Sequence, residues 1–463
     1  MRKGHPKSNS KKLIIGYNCD TMNKLKEYLS SHELSEIHPS DIAKILKQLD
    51  ESEFADAVQL VPKDILGDVA LALPDRYFDD VVESLSVDEL SYAVAELESD
   101  DQLEFMQELE ELDEDVASKV FETLDDEDKQ EIAKLQTYNE DEAGAYMQLE
   151  VFTANKDEIV QDVIHRFGRL RRENELENIQ NLFIAGNDKK LLYTIGLDDL
   201  LIFDFSKTLK ENIDLSEECF EPKKAVDTDD IKDVVHYFEE YDLSVMPIIN
   251  AYGVLLGRIT SDDIYDIINE HATEQMYNLA GVDDEAEEDD EIIKAGRKRA
   301  TWLSLNLFTA ISASIVIGLF ADTLESMVAL AVLMPIVASM GGNAGTQSLT
   351  VVVRQLALGD ISKGDAMRII KKEVTLSLGN GIFFAIIMGT IAALWFDMGM
   401  LGVVIALSML INLLAAGFFG ASIPLLLKRM DIDPAIGSTV ILTTVTDVVG
   451  FLSFLGLATY ILL

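Results

Sequence analysis

From residue 301 onward, apolar residues run in stretches longer than a soluble helix needs. Five can cross a bilayer: about Trp302 to Phe320, Met327 to Val353, Val374 to Trp395, Leu401 to Leu427 and Ile436 to Leu463, since roughly 20 helical residues cover the hydrocarbon core. Two features disturb the apolar pattern. In the second stretch, Gly341-Gly342-Asn343-Ala344-Gly345-Thr346-Gln347 interrupts it with small, amide and hydroxyl residues. Lipid cannot satisfy Asn343, Thr346 or Gln347, so they are expected to face protein or a wet cavity. In the fifth, Asp447 stands in Thr443-Thr444-Val445-Thr446-Asp447-Val448-Val449-Gly450, the one carboxylate well away from any end of a span. No Lys or Arg inside the spans can pair with it. A bound cation is the economical explanation, and a protonated or hydroxyl-bonded structural Asp is the alternative.

The loops agree with five crossings. Ala321 to Ser326 and Phe396 to Met400 hold no Lys or Arg, whereas the alternate connections carry Arg354, Lys363, Arg368, Lys371, Lys372, Lys428 and Arg429. By the positive-inside rule the front domains and both basic loops face the cytoplasm, and Leu463 is expected outside. Gly417, Gly420, Ser422 and Pro424 are read as close helix packing and a kink.

Residues 20–138 show a different period. Short units punctuated at Pro39-Ser40, Asp50-Ser52, Pro62, Pro74, Ser86, Ser99-Asp100, Asp113 and Asp125 carry apolar residues three and four apart, as in Ile42, Ile45, Leu46 and Leu49. Such helices bury their stripes only against neighbours, which predicts a small α-helical superhelix. Its faces are acidic, with Glu104, Glu108, Glu110, Glu111, Asp113, Glu114 and Asp115 close together. Most are solvated faces.

Residues 139–270 switch to short β-type runs alternating with helices, twice over, at about 139–205 and 206–270. The second copy holds Ser244-Val245-Met246-Pro247-Ile248-Ile249, then Gly253 to Thr260, then Asp262-Asp263-Ile264; the first reads Lys189-Lys190-Leu191-Leu192 where the second has its glycine. This arrangement resembles a tandem CBS pair, an α/β regulatory module. The resemblance implies an adenine nucleotide such as ATP as a ligand, with Thr260 and Asp263 of the second copy holding its ribose. No nucleophile, general base or phosphate loop appears here, which argues against an enzyme.

Residues 271–300 connect this region to the first span. Asp263, Asp266, Glu270 and Glu274 step by three and four, so four carboxylates share one helical face, and oxygen ligands from two such surfaces can share a hard divalent ion. Asp283 to Glu291 is a like-charge run read as a solvated linker, and Lys294 to Arg299 flank the first span.

Charge separates the two parts. Of 38 Lys+Arg and 82 Asp+Glu in 463 residues, residues 300–463 hold 7 and 9, leaving 31 and 73, a net of −42, in front. That field excludes nucleic acid as a partner and attracts cations. The two cysteines, Cys19 and Cys219, suggest neither a disulfide framework nor a thiolate metal site. The opening MRKGHPKSNSKK has no apolar core and does not read as a signal peptide.

One carboxylate per chain is a thin site for a divalent ion that dehydrates reluctantly, whereas a two-fold homodimer would bring two copies of Asp447 to a common axis. Taken together, the acidic helical domain, tandem CBS pair, acidic connecting helix and five spans, with GGNAGTQ in the second and TTVTDVVG in the fifth, resemble the MgtE family of magnesium channels or transporters. The resemblance covers almost the whole chain. It implies a multidomain protein of the cytoplasmic membrane with a five-helix transmembrane domain at 301–463, a homodimer embedded in lipid and selecting hydrated Mg²⁺ at Asp447, with Asn343 beside the pathway. Gly342, Thr346, Gln347, Thr443 and Thr446 are further lining candidates. The cytosolic carboxylates Asp263, Asp266, Glu270 and Glu274, together with Asp88 and Glu89, are expected to sense Mg²⁺ and close the pore. The family pattern is departed from at His271 and Gln275, where acids are expected. The rival readings are a non-transporting receptor whose CBS pair senses nucleotide, and a carrier or a broader transporter of Co²⁺, Mn²⁺ or Ca²⁺.

Overall fold

The computed structural model describes residues 10–33, 36–173, 176, 178–280, 292–357, 361, 364–430 and 432–463. It divides into two compact units, Met1–Ile268 and Asn269–Leu463.

The front unit begins with helices: α1 (Ser10–Ser31), α2 (Pro39–Leu46), α3 (Glu51–Val58), α4 (Leu66–Leu71), α5 (Phe78–Ser84), α6 (Val87–Ala95), α7 (Ser99–Leu112), α8 (Glu114–Thr123) and α9 (Asp126–Leu135). From α2 onward most are of about ten residues or fewer, and each is too short to persist alone. They are held by stacking, through a continuous core that includes Leu46, Phe54, Phe78, Leu90, Phe105, Leu109 and Leu135. Caps set the ends: Ser86 and Glu89 form a capping box at α6, and Asp113 and Asp125 accept the first free N–H groups of α8 and α9.

Two copies of one α/β unit follow. The first has β1 (Thr153–Ala154), α10 (Val160–Leu170), β2 (Asn181–Ala185), β3 (Leu191–Gly196) and α11 (Leu197–Ile202), and α12 (Leu209–Leu215) leads on. The second has β4 (Ala225–Val226), α13 (Ile231–Tyr241), β5 (Val245–Ile249), β6 (Leu255–Thr260) and α14 (Ser261–Ala280). In each sheet the short first strand runs parallel to the second, and the second pairs antiparallel with the third. Phe183, Leu191, Val245 and Ile249 form a shared core between the copies, and Lys190 bridges Val254. The repeat legible in the sequence is therefore an intramolecular pair.

The second unit holds α15 (Ile292–Gly318), α16 (Ala321–Ser326), α17 (Val328–Ala357), α18 (Ala366–Phe396), α19 (Gly399–Arg429) and α20 (Ser438–Leu462). Five of these helices are long and apolar enough to span a bilayer. Close approach sets their packing: a Cβ on Gly389 of α18 would lie 2.9 Å from the Gly402 carbonyl of α19, so the two backbones touch there. The glycine-rich patch of the second span does not break it, because α17 is continuous from Val328 to Ala357, with Pro335 inside. Likewise α14 is one helix carrying all of Asp263, Asp266, Glu270 and Glu274. The acidic run from Asp283 to Glu291 lies outside the described residues.

Candidate ion pathway and carboxylate cluster

Asp447 lies on α20, half-buried, and no hydrogen bond or ion pair reaches its carboxylate from the described residues. Register then relates it to Asn343. Val337 of α17 packs on Gly450 of α20, and Gly345 of α17 packs on Leu442 of α20. Eight residues forward on one helix match eight backward on the other, so α17 and α20 are antiparallel. Asp447 is thereby level with Met340 and Asn343 with Thr444, three residues or ~4.5 Å of rise apart. The two sequence-derived candidates share a level of the bundle to within one turn.

The remaining candidates divide by face. Asn343 and Gln347 are exposed, Gly342 meets no atom of the chain within 4 Å, and Asn343 Nδ2 donates to Ser339 Oγ at 3.4 Å. Gly341 and Gly345 are buried on the opposite side of α17. Thr346 returns its hydroxyl to the Gly342 carbonyl and Thr443 to those of Thr439 and Val440. Thr446 is 0 % exposed and donates to the Leu442 and Thr443 carbonyls, so its hydroxyl is turned into the bundle.

Two polar residues that sequence reasoning missed complete the interior. Asn412, in the middle of α19, is 0 % exposed and donates from Nδ2 to the Val337 carbonyl at 2.9 Å. Glu373 is buried seven residues inside α18 and accepts from Ser348 Oγ at 2.8 Å. Glu373 therefore joins Asp447 as a carboxylate inside a membrane helix, about two turns from the start of its helix. The third helix begins at Ala366 rather than Val374, and the Lys371-Lys372 pair beside Glu373 disguised it as part of a cytoplasmic flank. Asn412 carried a usable signal, a lone amide in an apolar run.

In the front unit a second set of carboxylates converges where α7 starts and β6 passes into α14. Glu98 precedes α7, Asp100 and Asp101 form its first turn, and Asp262 and Asp263 open α14. Burial pushes Glu98 up to about 8, with Glu150, Asp101 and Asp263 adding repulsion against the opposing pull of Arg258. Burial, Glu104 and Asp263 raise Asp101 to about 7. Asp100 is pushed well above the usual carboxylate range by burial, then Asp101 and Asp263. Asp263 rises to about 6 by burial, although it accepts from the Thr260 backbone N–H and hydroxyl, at 3.1 and 2.6 Å. Burial followed by Asp262 raises Asp266 too. Like charges held together in a partly dry seam are a fitting environment for a hard cation, although no trio among the described residues already stands in ligating geometry.

Of the other predicted sensors, Asp88 is exposed, while Glu89 is engaged by Ser86 and lies 3.3 Å from Lys63 Nζ. Glu270 is exposed, and Glu274 meets His271 Nδ1 at 3.4 Å and Asn278 Nδ2 at 3.3 Å. The structure thus gathers Asp263 with Glu98, Asp100 and Asp101, of which the sequence reading singled out only Asp100, as helix punctuation beside Ser99.

Comparison with known proteins adds lineage to this geometry. The MgtE profile, described as a divalent cation transporter, matches residues 334–457, the MgtE intracellular N domain matches 37–141 and a CBS domain matches 221–270. The magnesium transporter MgtE of Thermus thermophilus is 30% identical over 73% of this chain and 74% of its own. The chain belongs to the MgtE family. The Enterococcus faecalis MgtE is 31% identical over 72% of each chain, and that of Bacillus subtilis 27% over 94% of each. The MgtE transporter profile spans both Asn343 and Asp447, as well as Glu373 and Asn412. The match to a CBS domain falls on the second copy, which holds Thr260 and Asp263. As a member of the MgtE family the chain is a multi-pass membrane protein of a transporter family rather than an enzyme family.

Proposed function

We propose that the chain imports Mg²⁺ across the cytoplasmic membrane through a channel closed by Mg²⁺ on its cytosolic carboxylates. The observation that carries the reading is Asp447, a carboxylate within a membrane helix with no partner among the described residues and with Asn343 within one turn of its level along the bundle. A lone carboxylate at that depth is costly unless a cation balances it. Mg²⁺ gives up its water reluctantly, so the carboxylate acts through the hydration shell while amide and backbone oxygens order the waters. Two copies of Asp447 on a homodimer axis would supply the charge that one cannot, with lipid around the apolar outer faces.

Gating follows from the second carboxylate set. With little cytosolic Mg²⁺, Glu98, Asp100, Asp101 and Asp263 repel one another. Mg²⁺ neutralises them and draws α7 and the start of α14 together, and Asp266, Glu270 and Glu274 extend the same acidic face along α14. Closure requires only a few kcal/mol of differential binding, which several weak sites supply. An adenine nucleotide such as ATP at the second CBS copy would use Thr260 and Asp263. Asp263 also faces the acidic seam, so the two ligands are coupled there. The front unit lies in the cytoplasm and Leu463 outside. Proteoliposome Mg²⁺ flux tests the reading: it should vanish in Asp447→Ala and show selection against Ca²⁺, and unchanged flux in that variant would refute the pathway.

A further inference from the structure

We infer that Asn412 is a positioning residue for ion passage: its amide clamps α17 to α20 and fixes the register that keeps Asn343 within a turn of Asp447. This rests on the reading of Asn343 and Asp447 as the pathway.

Three contacts carry the inference. The Asn412 side chain fills the space where a Cβ of Gly341 would stand, and it lies 2.7 Å, at Nδ2, from where a Cβ of Gly450 would stand. The same Nδ2 donates to the Val337 carbonyl, one turn before Gly341. A single buried amide therefore touches α17 and α20 together from α19, and both facing positions are glycine. Glycine is the residue that lets a third helix bring a polar side chain that close. The parallel pair α17 and α19 repeats the spacing further along, where a Cβ of Gly420 would lie 2.7 Å from the Gly345 carbonyl, so the clamp sits at one end of a defined seam. Asn412 Oδ1 is buried without a partner among the described residues. An apolar side chain of the same size would leave no such group, so packing alone does not account for an amide here. Asn343 follows Gly341 by two residues and Asp447 precedes Gly450 by three, so a slip at the clamp is passed directly to both.

The test uses full-length protein in membranes with Cys19 and Cys219 replaced. The pair Gly345→Cys and Leu442→Cys reports the register by oxidative cross-linking, independently of transport. The cross-link should form quickly when Asn412 is present and at least about fivefold more slowly in Asn412→Leu, a substitution that keeps the branching and heavy-atom count of the side chain and removes the buried amide. On the chain without the cysteine pair, Asn412→Leu should raise the apparent KM for Mg²⁺ about tenfold or more at unchanged surface expression. Gly341→Ala should lose both expression and transport, and Gly341→Ala with Asn412→Ala should regain expression while keeping the raised KM. Cross-linking unaffected by Asn412→Leu overturns the clamp, as does a double variant with normal KM, which would make Asn412 a space filler. A slowed cross-link with normal KM would instead leave the clamp standing and refute the pathway assignment of Asn343 and Asp447.

Discussion

Asp447 and Asn412 show how differently one polar group can be kept inside a membrane helix bundle. Asp447 is half-buried and unpartnered among the described residues, so its charge is available to an ion. Asn412 is fully enclosed, spends its donor on Val337 and leaves its acceptor unpaired, at a cost of about 1–3 kcal/mol. Replacing Asp447 with Asn keeps the shape and removes the charge. A tenfold loss of flux needs only about 1.4 kcal/mol, and one unit charge near a divalent ion is worth more than that even at an effective dielectric of 20. Mg²⁺ uptake by Asp447→Asn should therefore fall at least about tenfold, which ²⁸Mg influx into Mg²⁺-starved cells would measure; wild-type influx would contradict the assignment. Glu373 is enclosed as well, but its Ser348 partner binds α18 to α17, so Glu373→Ala should lower protein yield and thermal stability before it alters ion selectivity.

At the scale of the element, the glycine-rich patch is two-sided. Gly341 and Gly345 face the bundle, whereas Gly342 and Asn343 face away from it. A Cβ on Gly420 would meet the Gly345 carbonyl at 2.7 Å and the Ser348 Cβ at 2.9 Å, neither of which can yield. Gly420→Ala should cost about 1–3 kcal/mol by overpacking and show as an early thermal transition of the detergent-solubilised protein. Gly342→Ala meets nothing within 4 Å in the chain, and alanine stabilises a helix by roughly 0.5–1 kcal/mol over glycine. That variant should melt at the same temperature or higher while conducting less. Normal conduction would remove Gly342 from the lining.

For the whole molecule, the acidic front unit ties stability to pH and Mg²⁺. Glu98, Asp101 and Asp263 have folded-state values of about 8, 7 and 6, above those of unfolded carboxyls near 4. Raised folded values mean stability that is fully present below the unfolded value and is lost as pH climbs through the folded ones. In chelator, a fragment of residues 1–280 should thus be most stable near pH 4–5 and lose stability from there to about pH 8. Mg²⁺ should restore it at pH 8 and do little at pH 5, where protons hold the sites. Calorimetry decides this, and an apo fragment equally stable at both pH values would sink the shared-cation reading of the seam. Removing residues 1–270 should leave a channel whose open probability ignores cytosolic Mg²⁺, as patch recording of the truncated protein would report.

The sequence alone determined the architecture. Short amphipathic periods can be buried only by stacking, twenty-residue apolar runs have few places to go but the bilayer, and a repeated strand-turn-strand pattern followed by Asp-Asp marks two copies of one unit. It also singled out Asp447, because an acid in the middle of an apolar run is costly wherever the run folds. What it could not decide was which side chains meet. Glu98, Asp100 and Asp101 look like ordinary helix-start residues until α7 is packed beside the start of α14. Glu373 looks like part of a basic flank until α18 is seen to begin at Ala366. The level shared by Asn343 and Asp447 depends on antiparallel register between helices about a hundred residues apart in sequence. Local periodicity records what each segment must bury, and only the packed bundle fixes against whom.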